Sequence, residues 1–155
     1  PVIRYAKHIG ASDERLYRAL LVSDLVTIHQ KTGIGRLSAY CGAVSAGCGA
    51  GAGIAYLLGG DYRAIAHTIV NAVAILSGTI CDGAKPSCAA KIASAVEAGI
   101  LGYYMYVNDQ QFRGGDGIVA KGVENTIRNV GLLASQGMKQ TDRVILNIMT
   151  GDQCL

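Results

Sequence analysis

Apolar residues recur at helical spacing along most of the chain, and no segment sustains the alternation of a half-buried strand. Ser12 to Lys31 is expected to form an amphipathic helix capped by Ser12 or Asp13. Its apolar side carries Leu16, Ala19, Leu20, Ser23 and Val26 or Thr27, and Gly33 ends it. Gly33-Ile34-Gly35 is a connector. Leu37 to Leu58 reads as a helix of Ala, Gly and Ser, closed by Gly59-Gly60. Asp61 is suited to cap a third helix, Tyr62 to Leu76. Thr79 to Lys85 is a loop, and Pro86 fits the first turn of a fourth helix reaching about Tyr106. Asn108 to Gly117 is a polar loop, Ile118 to Ala134 a fifth helix, and Thr141 or Asp142 caps a last one ending at Met149. The expectation is an all-α, single-domain helical bundle over residues 1–155, with two central Gly/Ala-rich helices wrapped by amphipathic ones.

Composition sharpens this picture. With 155 residues, half of them hydrophobic and 16% charged, the chain can bury a real core and is not disordered. Its net charge of +3 is spread among interspersed acids and bases, which gives no footprint for nucleic acid. Arg36 to Asp61 encloses a charge-free run long enough to span a bilayer. The run is built of small residues and lacks the large apolar side chains a lipid-facing helix needs, so no membrane role is expected. Spacings such as Gly47, Gly51 and Ala55 suit close helix packing inside a bundle. The chain opens on Pro1 rather than Met, and a fragment or processed product is expected.

The five cysteines are Cys41, Cys48, Cys81, Cys88 and Cys154. An odd number in a helical chain of this length points to a reducing cytosol rather than a disulfide scaffold. Cys81 and Cys88 are spaced C-x6-C, which is not the C-x2-C of a zinc knuckle. Cys88 follows Pro86 at a helix N-terminus, where unpaired N–H groups, the helix dipole and nearby Lys85 favour a thiolate. Cys41 opens the small-residue helix. Cys48, seven residues on, lies roughly 10 Å further along the axis and reads as a buried hydrophobe. Spacing thus prefers a three-thiolate set of Cys41, Cys81 and Cys88. Functionless buried cysteines are the more common alternative. Three thiolates without a nearby histidine suit iron–sulfur better than structural zinc.

Three stretches carry a resemblance: LSAYCGAVSAGCGAGAG from Leu37, ICDGAKPSCAAKIASA from Ile80 and GMKQTDRVILNIM from Gly137. Together they resemble the α-chain domain of iron–sulfur L-serine dehydratases, and most closely the L-cysteine desulfidase branch that includes the UPF0597 proteins. The similarity runs from about Gly10 to Met149. Serine dehydratases proper have a longer gap between their last two cluster cysteines, so the x6 spacing favours the desulfidase branch.

The resemblance implies a [4Fe-4S] cluster held by Cys41, Cys81 and Cys88 and a cytoplasmic enzyme that β-eliminates a small amino-acid substrate, L-cysteine or L-serine. It also implies a longer protein, whose N-terminal domain supplies further catalytic groups and is a partner absent from this chain. The catalytic base is not assigned, and a homo-oligomer is a further expectation. For the substrate carboxylate, Ser38, Ser87 and Lys85 are candidates. The two serines are more readily read as helix caps, and Lys85 and Lys91 equally well as solvated charges. Some serine dehydratases place a C-terminal cysteine on the open iron, but Cys154 is more readily read as an unpaired, inert thiol. His8, His29 and His67 read as surface, boundary or core residues. The alternative function is a non-catalytic helical packing module.

Overall fold

A computed structural model describes residues 1–151. Among the described residues the chain forms an all-α bundle of seven helices: α1 (Val2–His8), α2 (Asp13–Ile34), α3 (Gly42–Leu57), α4 (Tyr62–Leu76), α5 (Ser87–Val107), α6 (Val123–Leu132) and α7 (Lys139–Thr150). A π-turn, Leu133–Gly137, joins the last two. Among the described residues no helix is long and apolar enough to cross a membrane.

Two caps are set by local chemistry. The Ser12 hydroxyl accepts the Arg15 N–H (3.3 Å), and the Asp61 carboxylate accepts the Ala64 N–H (2.9 Å). Both helices therefore start where their side chains direct. Elsewhere the boundaries move. Gly33 lies inside α2, which ends at Gly35 with φ +92°. The small-residue helix begins at Gly42 rather than Leu37, because residues 39–41 pair instead with residues 79–81. The fifth expected helix begins at Val123 rather than Ile118, after Gly122 at φ +89°. α1 has no counterpart in the sequence reading. It is held by tertiary packing, with Val2 and Ala6 buried beside Ala19, Ala50 and Leu57.

α3 is the axis of the fold, buried along most of its length. Its glycines serve two opposite neighbours. A Cβ on Gly49 would meet Ser23 O at 2.5 Å, and one on Gly53 would meet Ala19 O at 2.8 Å, so α2 runs antiparallel along that face. On the other face a Cβ on Gly47 would meet Ala95 C and O at 2.4 Å, and one on Gly51 would meet Gly99 Cα at 2.6 Å. Rising numbers on α3 meet rising numbers on α5, so these two helices are parallel. Backbones this close leave no room for side chains between them, which is why both helices are rich in Gly and Ala. α4 completes the core against α5 through buried Thr68 and Asn71.

Candidate metal centre

Parallel packing of α3 on α5 puts both N-termini at one end of the bundle. Gly47 meets Ala95 and Gly51 meets Gly99, a constant offset of 48. The same offset carried back along the helices brings the neighbourhood of Cys41 opposite that of Cys88. Cys41 is the N-cap of α3, and Cys88 is in the first turn of α5.

Cys81 is added by a backbone clip. The Cys41 N–H donates to Thr79 O (3.2 Å) and the Cys81 N–H to Ala39 O (2.6 Å), flanking an antiparallel bridge between Tyr40 and Ile80. Cys88 folds back over the loop, its thiol 3.6 Å from Gly83 O. Its own N–H is not free for a ligand. It donates to Lys85 O at 2.9 Å, because the turn at Pro86 begins the helix with a tighter bond. Gly83 has φ +87°, and a Cβ there would meet Met149 Cε at 2.9 Å, so α7 leans on this loop.

A charged clamp holds the loop. Lys91, one turn into α5, donates to Ile80 O (3.0 Å) and to Asp82 Oδ1 (2.6 Å), while Lys85 pairs with Asp82 Oδ2. The two ammonium groups hold the Asp82 carboxyl down to about 2. Lys91 is correspondingly raised, first by Asp82 and then by the Cys41 and Cys88 thiols within its electrostatic reach. The sequence reading left Lys85 and Lys91 open between anion orientation and solvation. Here both are bound to Asp82, whose place directly after Cys81 was the signal available.

Cys41, Cys48, Cys81 and Cys88 are all free thiols. Among the described residues no three Cys, His, Asp or Glu side chains are gathered tightly enough for a single metal ion. A multi-iron cluster asks for thiolates spread around a larger body. Cys41, Cys81 and Cys88 offer three reduced thiols, the donor type such a cluster takes. Cys48 is different. It is fully buried in the core, and desolvation pushes its thiol up to about 12. Cys154 lies outside the described residues.

Ser87 is exposed and lines a cleft of about 320 Å³ with Thr79, Lys91, Ser94 and the apolar Val44 and Leu76. Ser38 lies four residues before α3. Its hydroxyl donates to Ala134 O (2.8 Å) and accepts the Tyr40 N–H (3.0 Å), tying the clip to the π-turn. His29 pairs with Glu124 (2.7 Å) on the surface, and His67 stacks on Tyr106.

The family described as serine dehydratase alpha chain matches residues 1–147. A UPF0597 protein of Desulfitobacterium hafniense is 69% identical over 99% of this chain and 36% of its own length. UPF0597 proteins of Lachnoclostridium phytofermentans and Treponema denticola are 54% and 51% identical, over 96% and 98% of this chain and 36% and 35% of their own lengths. The chain thus spans little more than a third of these curated relatives. No solved structure matches it. From residue 1 to residue 147, the chain belongs to the serine dehydratase alpha chain family.

Proposed function

We propose that this chain is the iron–sulfur-binding part of a lyase that β-eliminates L-cysteine, or L-serine, to pyruvate and ammonia. The observation that supports the reading is the backbone clip that sets Cys41 and Cys81 side by side at the end of the bundle where Cys88 opens α5, next to the Lys91–Asp82 pair. Cys41, Cys81 and Cys88 would hold a [4Fe-4S] cluster. When bound, such a cluster with three protein thiolates supplies one iron with an open position, a Lewis acid for the leaving group.

The chain's own residues have simpler tasks. The backbone clip fixes the separation of Cys41 and Cys81, and α3–α5 packing fixes that of Cys41 and Cys88. Lys91, within electrostatic reach of Cys41 and Cys88, would offset part of the negative charge of the ligand set. Ser87, in the cleft beside Lys91, is the best placed donor for a substrate carboxylate. Lys85 would have to share itself with Asp82, and Ser38 would have to release Ala134 O. In the reaction the substrate loses its α-proton to a base and its β C–S or C–O bond breaks, releasing sulfide from L-cysteine or water from L-serine. The resulting enamine tautomerises and is hydrolysed to pyruvate and ammonia.

The test is anaerobic reconstitution followed by addition of L-cysteine or L-serine, with visible absorption and pyruvate as readouts. A spectral change or pyruvate with either amino acid supports the reading. An unchanged spectrum with both, on a fully loaded protein, contradicts it.

A second reading, a helical association module, draws on one observation. Tyr17, Leu21, Leu25 and Ile28 form a stripe along α2, each more than 60% exposed. That reading predicts full stability without metal in every cysteine variant.

A further inference from the structure

A separate cleft of about 350 Å³ lies at the N-terminal end of α4. The cysteine loop follows the other end, so roughly 20 Å of helix separates the two. Arg63, Arg113, Lys121 and His67 line this cleft, and no Asp or Glu does among the described residues. The charged groups of Arg63, Arg113 and Lys121 have no hydrogen-bond or ion-pair partner among the described residues. Acids on the same segments have partners of their own. Asp61 caps α4, Asp116 accepts the Arg113 backbone N–H (2.6 Å), and Glu124 meets His29.

The arrangement is built rather than incidental. Fully buried Asn71 donates to Gly102 O (2.9 Å) and accepts the Phe112 N–H (3.0 Å), which fixes the residue before Arg113. Buried Thr126 accepts the Ala120 N–H (3.1 Å), which fixes the residue before Lys121. A Cβ on Gly114 would meet Lys121 N at 2.8 Å, so the loop doubles back tightly on itself. On the cleft wall, His67 Nδ1 and Gln111 Oε1 are sealed from solvent without partners. Burial and the Arg113 charge hold His67 below the usual histidine range. Like charges gathered around one concave surface repel one another and focus a positive potential into it. An anion in the cleft would relieve that repulsion.

We propose that this cleft binds a small oxyanion carrying at least two negative charges, a phosphate or a polycarboxylate. It is independent of the cysteine site and of the lyase reading. The test is thermal denaturation of the full chain in inorganic phosphate or citrate, with ionic strength held constant by chloride. A saturable rise in Tm is expected, about 3–6 °C at ten times Kd. The R63Q/R113Q double variant should lose that rise without melting lower in chloride, since both side chains are exposed. Phosphate acting alone would identify a phosphoryl ligand, and citrate alone a carboxylate ligand. No rise with either anion, or the same rise in the double variant, would overturn the proposal.

Discussion

Replacing Gly47 by Ala tests whether glycine-mediated contact between α3 and α5 positions the cysteines. The new methyl would lie 2.4 Å from Ala95 C and O and 2.5 Å from Ala95 Cβ. Ordinary contact begins about 1 Å further out, and the obstacle is helix backbone, which cannot rotate aside. The helices must part. Overpacking of this kind costs about 1–3 kcal/mol, and the better helix propensity of Ala returns about 1 kcal/mol. Because backbone meets backbone, the cost belongs at the upper end, for a net loss of about 2 kcal/mol. In a domain of this size that lowers Tm by about 4–8 °C. Gly42→Ala is the control: a Cβ there meets nothing within 4 Å, and Tm should hold or rise. Circular dichroism melts of both variants read the difference. Iron uptake after reconstitution should also fall in Gly47→Ala alone, because the opening is transmitted to Cys41 and Cys88. A Gly47→Ala protein as stable as the parent would refute the reasoning.

Three further outcomes follow from the same geometry. Lys91→Met removes the bonds to Ile80 O and Asp82 and leaves the core untouched. Tm should barely change, while iron uptake should weaken, as iron counting would reveal. Asp82 has a folded pKa depressed to about 2, so its contribution is complete above its unfolded value of about 3.9 and is lost as pH falls through 2. Acid titration of stability should therefore show a limb between about pH 4 and 2 that Asp82→Asn flattens, and an unchanged limb would contradict the clamp. Asn71→Ala leaves Gly102 O and the Phe112 N–H without their side-chain partner, at a cost of about 2–4 kcal/mol in a denaturant titration. The Phe112 amide should exchange faster in that variant.

The sequence was most legible where structure is decided within a few residues. The caps at Ser12 and Asp61 and the full extent of α4 belong to that class. α3 illustrates the opposite case. Its first five expected residues are not helical, and Ala39 to Cys41 pair instead with Thr79 O and the Cys81 N–H from about forty residues away. α1 is too short to form on propensity alone and exists through Val2 and Ala6 packing. The small-residue spacing at Gly47 and Gly51 was readable as a packing face. That Ala95 and Gly99 are its partners, in parallel register, is a tertiary fact. The same division holds at the site. Cys41, Cys81 and Cys88 can be singled out by position and Cys48 set aside as a core residue, which its burial supports. The Asp82 clamp depends on the turn at Pro86 carrying Lys91 back over Ile80, and spacing alone does not reveal it.

The central claim is that Cys41, Cys81 and Cys88 together hold an iron–sulfur cluster. Anaerobic reconstitution with iron and sulfide, followed by iron counting and visible absorption, tests it most directly. The account predicts about four irons per chain with a broad thiolate-to-iron band, lost in Cys41→Ser, Cys81→Ser and Cys88→Ser and kept in Cys48→Ser. Full loading in the Cys81→Ser and Cys88→Ser proteins, or no loading of the parent, would contradict it.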